Sequence, residues 1–484
     1  MKVEQIYTGC LAQGAYYIES NGEAAIIDPL RETQPYIDKI EKDGVKLKYI
    51  FETHFHADFV SGHVDLAKKT GAKIVYGPMA ETTYDIHSAK DGEKMQIGDV
   101  TIEVLHTPGH TMESSVFLLK DKEGKDYAMF SGDTLFLGDV GRPDLAIKQG
   151  SVTKEDLAEY LFDSLRNKVM PLADDIIVYP GHGAGSACGK NLSSDTWGYL
   201  GDQKKENYAL RADMTKQEFI DEVTAGLTPA PQYFAKNAMM NKSGYDSFDD
   251  VLQRGAVTLS PEKFEEVVEN MEALMLDTRS AKEFADGHIP NSINIGINGG
   301  FAPWVGALIL DIKQPIVLIV DEGMGEEVVT RLARVGYDNT LGYLEGGIKN
   351  WKSVGKEIDT IESISPEEFA TRKSSGIVAK ILDVRKPTEF LAHHIVEATN
   401  MPLDYINNGM TKLDKSKTYY IHCAGGYRSM IASSILQARG FRNIIDVQEG
   451  FKGIEENGKI ELTNYMCPSG MTQEFIDEAI ASVL

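Results

Sequence analysis

Positive charge is scarce in this chain of 484 residues: 49 Lys and Arg stand against 73 Asp and Glu, a formal net charge of -24. A chain that acidic repels phosphate backbones and anionic lipid, which excludes nucleic acid and the membrane surface as expected partners. Long apolar runs are missing as well, and none approaches the roughly 20 residues of a membrane span. The opening residues Met1-Lys2-Val3-Glu4-Gln5 carry no signal-peptide apolar region. Cysteine is sparse: Cys10, Cys188, Cys423 and Cys467 lie far apart. Scattered thiols are no disulfide framework and suit a reducing compartment, so a cytoplasmic location is expected. Hydrophobic content of 42% and charged content of 25% are ordinary for a globular protein. The length suggests about three domains.

The densest chemistry lies in Thr53-His54-Phe55-His56-Ala57-Asp58-Phe59. It follows the apolar run Tyr49-Ile50-Phe51, which reads as a buried strand. Histidines two apart on extended chain project to one side, and an aspartate two further on continues that side. Three metal-capable groups at a strand end are hard to explain as packing. Three later stretches each add one or more such residues after an apolar strand: Leu105-His106-Thr107-Pro108-Gly109-His110, Phe130-Ser131-Gly132-Asp133, and Tyr179-Pro180-Gly181-His182. Glycine before the donor lets the backbone turn and present the side chain. Strands alternate with short helical patterns throughout, which indicates α/β layers.

These motifs in this order resemble the metallo-β-lactamase superfamily, a sandwich of two sheets flanked by helices. The superfamily pattern continues His-x-His-x-Asp-His, whereas this chain has Phe59 at the last position. In two-ion members that histidine, with the counterparts of Asp58 and His182, would hold the second ion, so the resemblance implies an empty or feeble second site here. Members with one iron resemble the chain more closely. They imply His54, His110 and Asp133 as ligands of one Fe(II) per chain, two imidazoles and one carboxylate with positions left open. Zinc could take the same donors. His56, Asp58 and His182 are then expected to orient ligands or substrate. Gly138-Asp139-Val140-Gly141-Arg142-Pro143-Asp144 resembles a loop of the persulfide dioxygenases. Arg142 and Asp144 read first as a loop-fixing pair and second as substrate contacts. Cys188, on the glycine-rich loop that carries His182, could receive sulfur or could simply pack.

Residues 190–255 lack strand alternation and read as a polar helical extension, with turns at Leu227-Thr228-Pro229-Ala230-Pro231 and Asn241-Lys242-Ser243-Gly244. An internal repeat follows. Asp277-Thr278-Arg279, Glu283-Phe284 and His288-Ile289 recur at identical spacing as Asp383-Val384-Arg385, Glu389-Phe390 and His394-Ile395. Apolar strands such as Ile316-Val317-Leu318-Ile319-Val320 argue for buried parallel sheets. The copies part at one loop. The second has Cys423-Ala424-Gly425-Gly426-Tyr427-Arg428-Ser429 before a helix, a nest of backbone amides at a helix N-terminus. Amides, dipole and Arg428 are expected to lower the Cys423 pKa. This resembles the rhodanese sulfurtransferases, and the four-residue gap between Cys423 and Arg428 favours sulfur over phosphate. The first copy has Asp321 where the second has Cys423, so it is expected to be inactive, a spacer or docking element.

The expected architecture is therefore α/β throughout. A metallo-β-lactamase αββα sandwich with its extension occupies 1–245, an inactive rhodanese-like domain 256–360, and an active one 363–484. The resemblance implies oxidation of a thiol persulfide by dioxygen to sulfite and thiol, coupled to sulfur exchange with sulfite and thiosulfate at Cys423. Homo-oligomerisation stays open. Two rivals remain: a zinc thioester hydrolase of the glyoxalase II type fused to a sulfurtransferase, and a sulfur carrier or sensor with a vestigial metal site.

Overall fold

The computed structural model describes residues 1–145, 152–190, 192–227, 230–378 and 380–467. The end of the expected third domain, 468–484, and residues 228–229 of the expected turn lie outside these. The chain divides into two compact units, Met1–Val251 with Thr330–Asp338, and Leu252–Val329 with Asn339–Leu484. No helix among the described residues is long and apolar enough to cross a membrane.

The first unit is a sandwich of two six-stranded sheets. One contains β1 (Lys2–Thr8), β2 (Gln13–Ser20), β3 (Glu23–Ile27), β4 (Lys46–Glu52), β5 (Lys73–Tyr76) and β6 (His87–Ser88), side by side in that order. The other contains β7 (Lys94–Ile97), β8 (Val100–His106), β9 (Ser115–Lys120), β10 (Asp126–Gly132), β11 (Ile177–Pro180) and β12 (Gly198–Tyr199), also in chain order across the sheet. Side chains alternate along a strand, so β2 sends Tyr16 and Ile18 into one cluster and Ala15 and Tyr17 into another. The first cluster joins the sheets, since Tyr16, Phe51 and Val75 meet Val104, Phe117 and Phe130 there. The second packs Tyr36, Ile40 and Leu66 of helices Gln34–Asp43 and His63–Thr70 on the outer face of the first sheet. Helix Lys154–Ser164 covers the outer face of the second sheet through Ala158 and Leu161. The four layers match the expected αββα order. Asn241-Lys242-Ser243 departs from the turn read there. It forms the last turn of helix Phe234–Ser243, and the chain breaks at Gly244, whose φ is +83°.

The second unit holds two five-stranded parallel sheets of equal plan. The first orders β13 (Thr258–Leu259), β14 (Leu274–Asp277), β15 (Ile293–Asn294), β16 (Ile316–Ile319) and β17 (Thr340–Leu344) as β13-β17-β16-β14-β15. The second orders β18 (Glu362–Ile364), β19 (Ile381–Asp383), β20 (Thr399–Asn400), β21 (Tyr419–His422) and β22 (Ile444–Val447) as β18-β22-β21-β19-β20. The sequence repeat is the skeleton of this plan. Arg279 pairs with Asp277, and Arg385 with Asp383, just after the strand. Asn294 donates to the Asp277 and Arg279 carbonyls, and Asn400 to those of Asp383 and Arg385. Phe284 stacks on His288 and Phe390 on His394, with ring centroids 3.8 and 3.7 Å apart.

Asp446 lies on β22, between β18 and β21, buried, with Oδ2 accepting from Ser363 Oγ at 2.9 Å. Burial pushes its pKa up from 3.8 to about 6. A carboxyl raised on folding contributes stability at low pH and loses it as pH rises from the unfolded value through the folded one. The full penalty above that window is about 3 kcal/mol. Asp446→Asn should therefore gain stability over the wild type by about 2 kcal/mol more at pH 7.5 than at pH 4.5. Denaturant unfolding of the full chain at the two pH values checks this.

Candidate functional site

β4 ends at Glu52, and the chain leaves the sheet at Thr53. Asp28, the residue after β3, holds this exit. Its carboxylate oxygens accept from the Thr53 backbone N–H and from Thr53 Oγ1, each at 2.8 Å. Thr53 Oγ1 thus gives its proton to Asp28 and accepts from His54 Nδ1 at 3.0 Å. This leaves His54 Nε2 as the lone-pair nitrogen. His110 is fixed likewise, with Nδ1 donating to the Arg142 carbonyl at 2.9 Å. Both Nε2 atoms face Oδ2 of Asp133, at 3.8 Å from His54 and 3.5 Å from His110.

Asp133 follows β10. Gly132 before it has φ of +49°, and a Cβ there would stand 2.6 Å from Thr53 Cβ, so only glycine fits the turn. Oδ1 of Asp133 accepts from His182 Nδ1 at 2.9 Å. A Cβ on Gly181 would come within 2.5 Å of that oxygen. Oδ2 is buried and has no hydrogen-bond partner. Burial opposes ionisation of Asp133, but His182, His54 and His110 outweigh it and hold its pKa far below the usual carboxylate value. Burial and then His56 hold His54 well below the usual imidazole value, in the neutral form a metal needs. Three donor atoms from His54, His110 and Asp133 therefore converge within 4.8 Å of one another, in a place shut off from water. An unpartnered buried carboxylate oxygen facing two lone pairs is costly unless a cation lies between them. The set fits a metal ion.

Cys423 follows β21, buried, in the turn that opens helix Tyr427–Ala438. The Gly426 N–H donates to Cys423 Sγ at 3.1 Å, from a backbone with φ of +95°. Arg428 stands in the first turn of that helix. Its guanidinium makes two bonds to Glu389, at 2.7 and 2.8 Å, the fork-to-carboxylate match of a bidentate pair. Burial opposes both charges, yet each partner outweighs it: Glu389 raises the Arg428 pKa and Arg428 lowers that of Glu389. Arg385 pairs with Asp383, which leaves Glu389 to Arg428. Tyr427 OH donates to the Gly296 carbonyl of the first repeat at 2.7 Å.

The metallo-beta-lactamase superfamily profile matches residues 8–182, and the rhodanese-like domain profile matches residues 260–354 and 365–457. The crystal structure of a metallo-beta-lactamase from Staphylococcus aureus subsp. aureus COL is 33% identical, with a TM-score of 0.63, covering 71% of this chain and 98% of that one. This chain belongs to the metallo-beta-lactamase superfamily. Two rhodanese-like domains with parallel sheets follow its sandwich. The cytoplasmic hydroxyacylglutathione hydrolase of Arabidopsis thaliana is 32% identical over 178 residues, 36% of this chain and 65% of that protein. The mitochondrial persulfide dioxygenase of Homo sapiens is 31% identical over 162 residues, 33% of this chain and 59% of that protein. In both cases the chain spans less than two thirds of the relative's length.

Within this superfamily site the remaining candidates take separate places. His56 lies beside His54, ring centroids 4.3 Å apart, with its Nε2 turned to the acids behind, 3.1 Å from Asp28 Oδ1 and 3.6 Å from Glu52 Oε2. Its ring packs on Phe59, centroids 4.4 Å apart. His182 bonds Asp133 directly, and its Nε2 lies 2.8 Å from Asp58 Oδ2. Burial opposes charge on His182, but Asp133 and Asp58 outweigh it and raise its pKa well above the usual value. Arg142 bonds both oxygens of Asp144, at 2.6 and 2.7 Å, and the Ala187 carbonyl at 3.3 Å. Its backbone N–H meets the Cys188 carbonyl at 3.0 Å. It thereby ties the His110 support to the Cys188 loop, the geometry of a loop anchor. Burial, then Asp58 and Asp133, push the Cys188 thiol well above its usual pKa, so it rests protonated.

Two supports escaped the sequence reading. Asp28 left only a faint signal, an acidic residue directly after the apolar strand. Asn241 left none. From helix Phe234–Ser243 it donates to the His56 and Phe59 carbonyls, each at 2.8 Å, and accepts from Ser61 N–H at 2.9 Å, pinning the histidine loop. Asp28→Asn should weaken metal binding about 10–100-fold, as losses behind a ligand do. Competition with a chelator measures it, and an unchanged affinity would show that Thr53 and His54 need no such hold.

Proposed function

We propose that this chain is a non-haem iron persulfide dioxygenase joined to a sulfurtransferase. Residues 1–245 convert a low-molecular-weight thiol persulfide, dioxygen and water into thiol, sulfite and two protons. Residues 363–484 move sulfur between persulfide and sulfite, and residues 256–360 are an inactive rhodanese-like spacer. The observation that carries this is the buried donor set His54, His110 and Asp133, combined with Phe59 where two-ion members have histidine. Two imidazoles and one carboxylate leave room for two co-substrates and suit Fe(II).

Iron bound to that set supplies the dioxygen chemistry. The protein supplies the frame. Thr53 and the Arg142 carbonyl fix the tautomers of His54 and His110. His182 occupies Oδ1 of Asp133, so Oδ2 is the oxygen that faces inward. Burial of all these groups keeps out bulk water, which would compete for open positions. At the second site the Cys423 thiolate attacks the outer sulfur of a persulfide. The S–S bond breaks, the carrier leaves as thiol, and Cys423 holds the sulfur. Sulfite then takes that sulfur, giving thiosulfate and restoring Cys423. The Gly426 N–H holds the anionic sulfur, and the Glu389–Arg428 pair stiffens the rim of the loop. Asp321 in the first repeat has no thiol and would repel the same anions.

A thioester hydrolase is the second reading, because a hydroxyacylglutathione hydrolase is as similar as a persulfide dioxygenase, 32% against 31%. The decisive measurement is metal content together with oxygen uptake on glutathione persulfide. About one iron per chain with oxygen uptake and sulfite is expected; two zinc ions per chain with no uptake would select the hydrolase. His54→Ala should abolish oxygen uptake and keep sulfur transfer. Cys423→Ser should do the reverse, and loss of both activities in either variant would sink the division of labour.

A further inference from the structure

The helix Gly325–Arg334 ends inside the first unit, to which Thr330–Asp338 belongs. The last carbonyls of a helix have no partner within it, and Gly336, with φ of +84°, turns the chain straight afterwards. The Arg334 carbonyl finds its partner on the histidine loop, where the Val60 N–H donates to it at 2.7 Å. Val60 is wholly buried and directly follows Phe59.

Side chains of the same segment reach the loop after β3. Arg334 grips both oxygens of Glu32, Nε donating at 3.0 and 3.1 Å and Nη2 donating to Oε1. Its Nη1 meets Cys10 Sγ at 3.3 Å. Arg31 Nη2 donates to Asp338 Oδ2 at 2.9 Å and to the Asp246 carbonyl at 2.7 Å. The Arg31 side chain has no exposed surface, and those of Glu32, Arg334 and Asp338 are 15% exposed or less. Neighbours of opposite sign, Arg31 and Glu32, are thus matched crosswise by Asp338 and Arg334, which sets the register of one segment on the other. The loop they grip begins at Asp28 and is zipped to the histidine loop. Leu30 pairs with Ser61 in an antiparallel bridge, and the Pro29 carbonyl accepts from Gly62 N–H at 3.0 Å and from Ser61 Oγ at 2.8 Å.

We propose that Arg334, clamped by Glu32 and backed by the Arg31–Asp338 pair, is a positioning residue of the metal site, holding the histidine loop in the shape that presents His54. Three holds then act on this loop. Asp28 fixes Thr53, Asn241 fixes the His56 and Phe59 carbonyls, and the Arg334 carbonyl fixes Val60. The third comes from about 300 residues further along the chain. It gives Thr330–Asp338, within the inactive 256–360 stretch, a part in the metal site. Losing one partner of a buried pair leaves the other charge uncompensated, so either half of the clamp fails without its mate. The clamp concerns the holding of metal and does not rest on which reaction the metal serves.

The full chain is tested with Glu32→Arg, with Arg334→Glu and with both together. Each single change sets like charges face to face and should weaken metal binding about tenfold, read by chelator competition with iron and separately with zinc. The double change restores opposite charges in exchanged places and should bring the affinity back to within about threefold of the wild type. Deuterium exchange at the Val60 amide should quicken in the single variants and slow again in the double one. Unchanged affinity and exchange in the single variants overturn the clamp. Weakening that the double change fails to repair overturns it too, because that is general damage. Should a reversed charge prevent folding, Glu32→Gln keeps the shape and drops the charge. Faster Val60 exchange with weaker metal binding is expected there, and no change in either overturns the clamp. Sulfur transfer at Cys423 should stay at the wild-type level throughout, and its loss alongside the metal would likewise count against the clamp. Oxygen uptake by the wild type reports the dioxygenase reading separately, so either can fail alone.

Discussion

The Asp133 carboxylate is the group around which the first unit is arranged. A charge with almost no exposure survives in a low-dielectric interior only if surrounding groups repay its lost hydration. Here one oxygen is held by His182, and the other faces His54 and His110. Those four residues come from the ends of β4, β10 and β11 and from the turn after β8, so the sandwich must bring all four ends together. Space at the meeting point is short. Side chains at Gly132 or Gly181 would strike Thr53 or Asp133 itself. The histidine loop, in turn, is held from two sides, by Asp28 at Thr53 and by Asn241 at the His56 and Phe59 carbonyls.

The second unit solves a related problem by other means. Cys423 is buried too, but its sulfur is met by the backbone N–H of Gly426 at the start of a helix, not by imidazoles. Arg428, in the first turn of that helix, is held by Glu389. The two repeats keep one skeleton of Asp–Arg pairs, Asn-to-backbone bonds and Phe–His stacks while differing at Asp321 and Cys423. One frame thus carries different residues at the same loop within a single chain. The frame is also shared physically, since Tyr427 beside the thiol loop is bonded to Gly296 of the other repeat.

Much was legible because it is local. Apolar strands, glycines at sharp turns and fixed spacings are properties of short stretches, and they gave the layers and the repeat, while the grouping of His54, His110 and Asp133 came with the family resemblance. Partner choice is not local. Nothing in the sequence tells Glu389 to bind Arg428 39 residues away in place of Arg385. Nor does the sequence place Asn241 over Phe59, 182 residues apart, or turn Asn241-Lys242-Ser243 from a turn into a helix end. Cys188 shows the division most clearly. The sequence put it on the loop of His182 and left its role open. Only the folded chain decided that it lies buried beside Asp58 and His182, because burial and distance belong to the packed interior and to no single stretch.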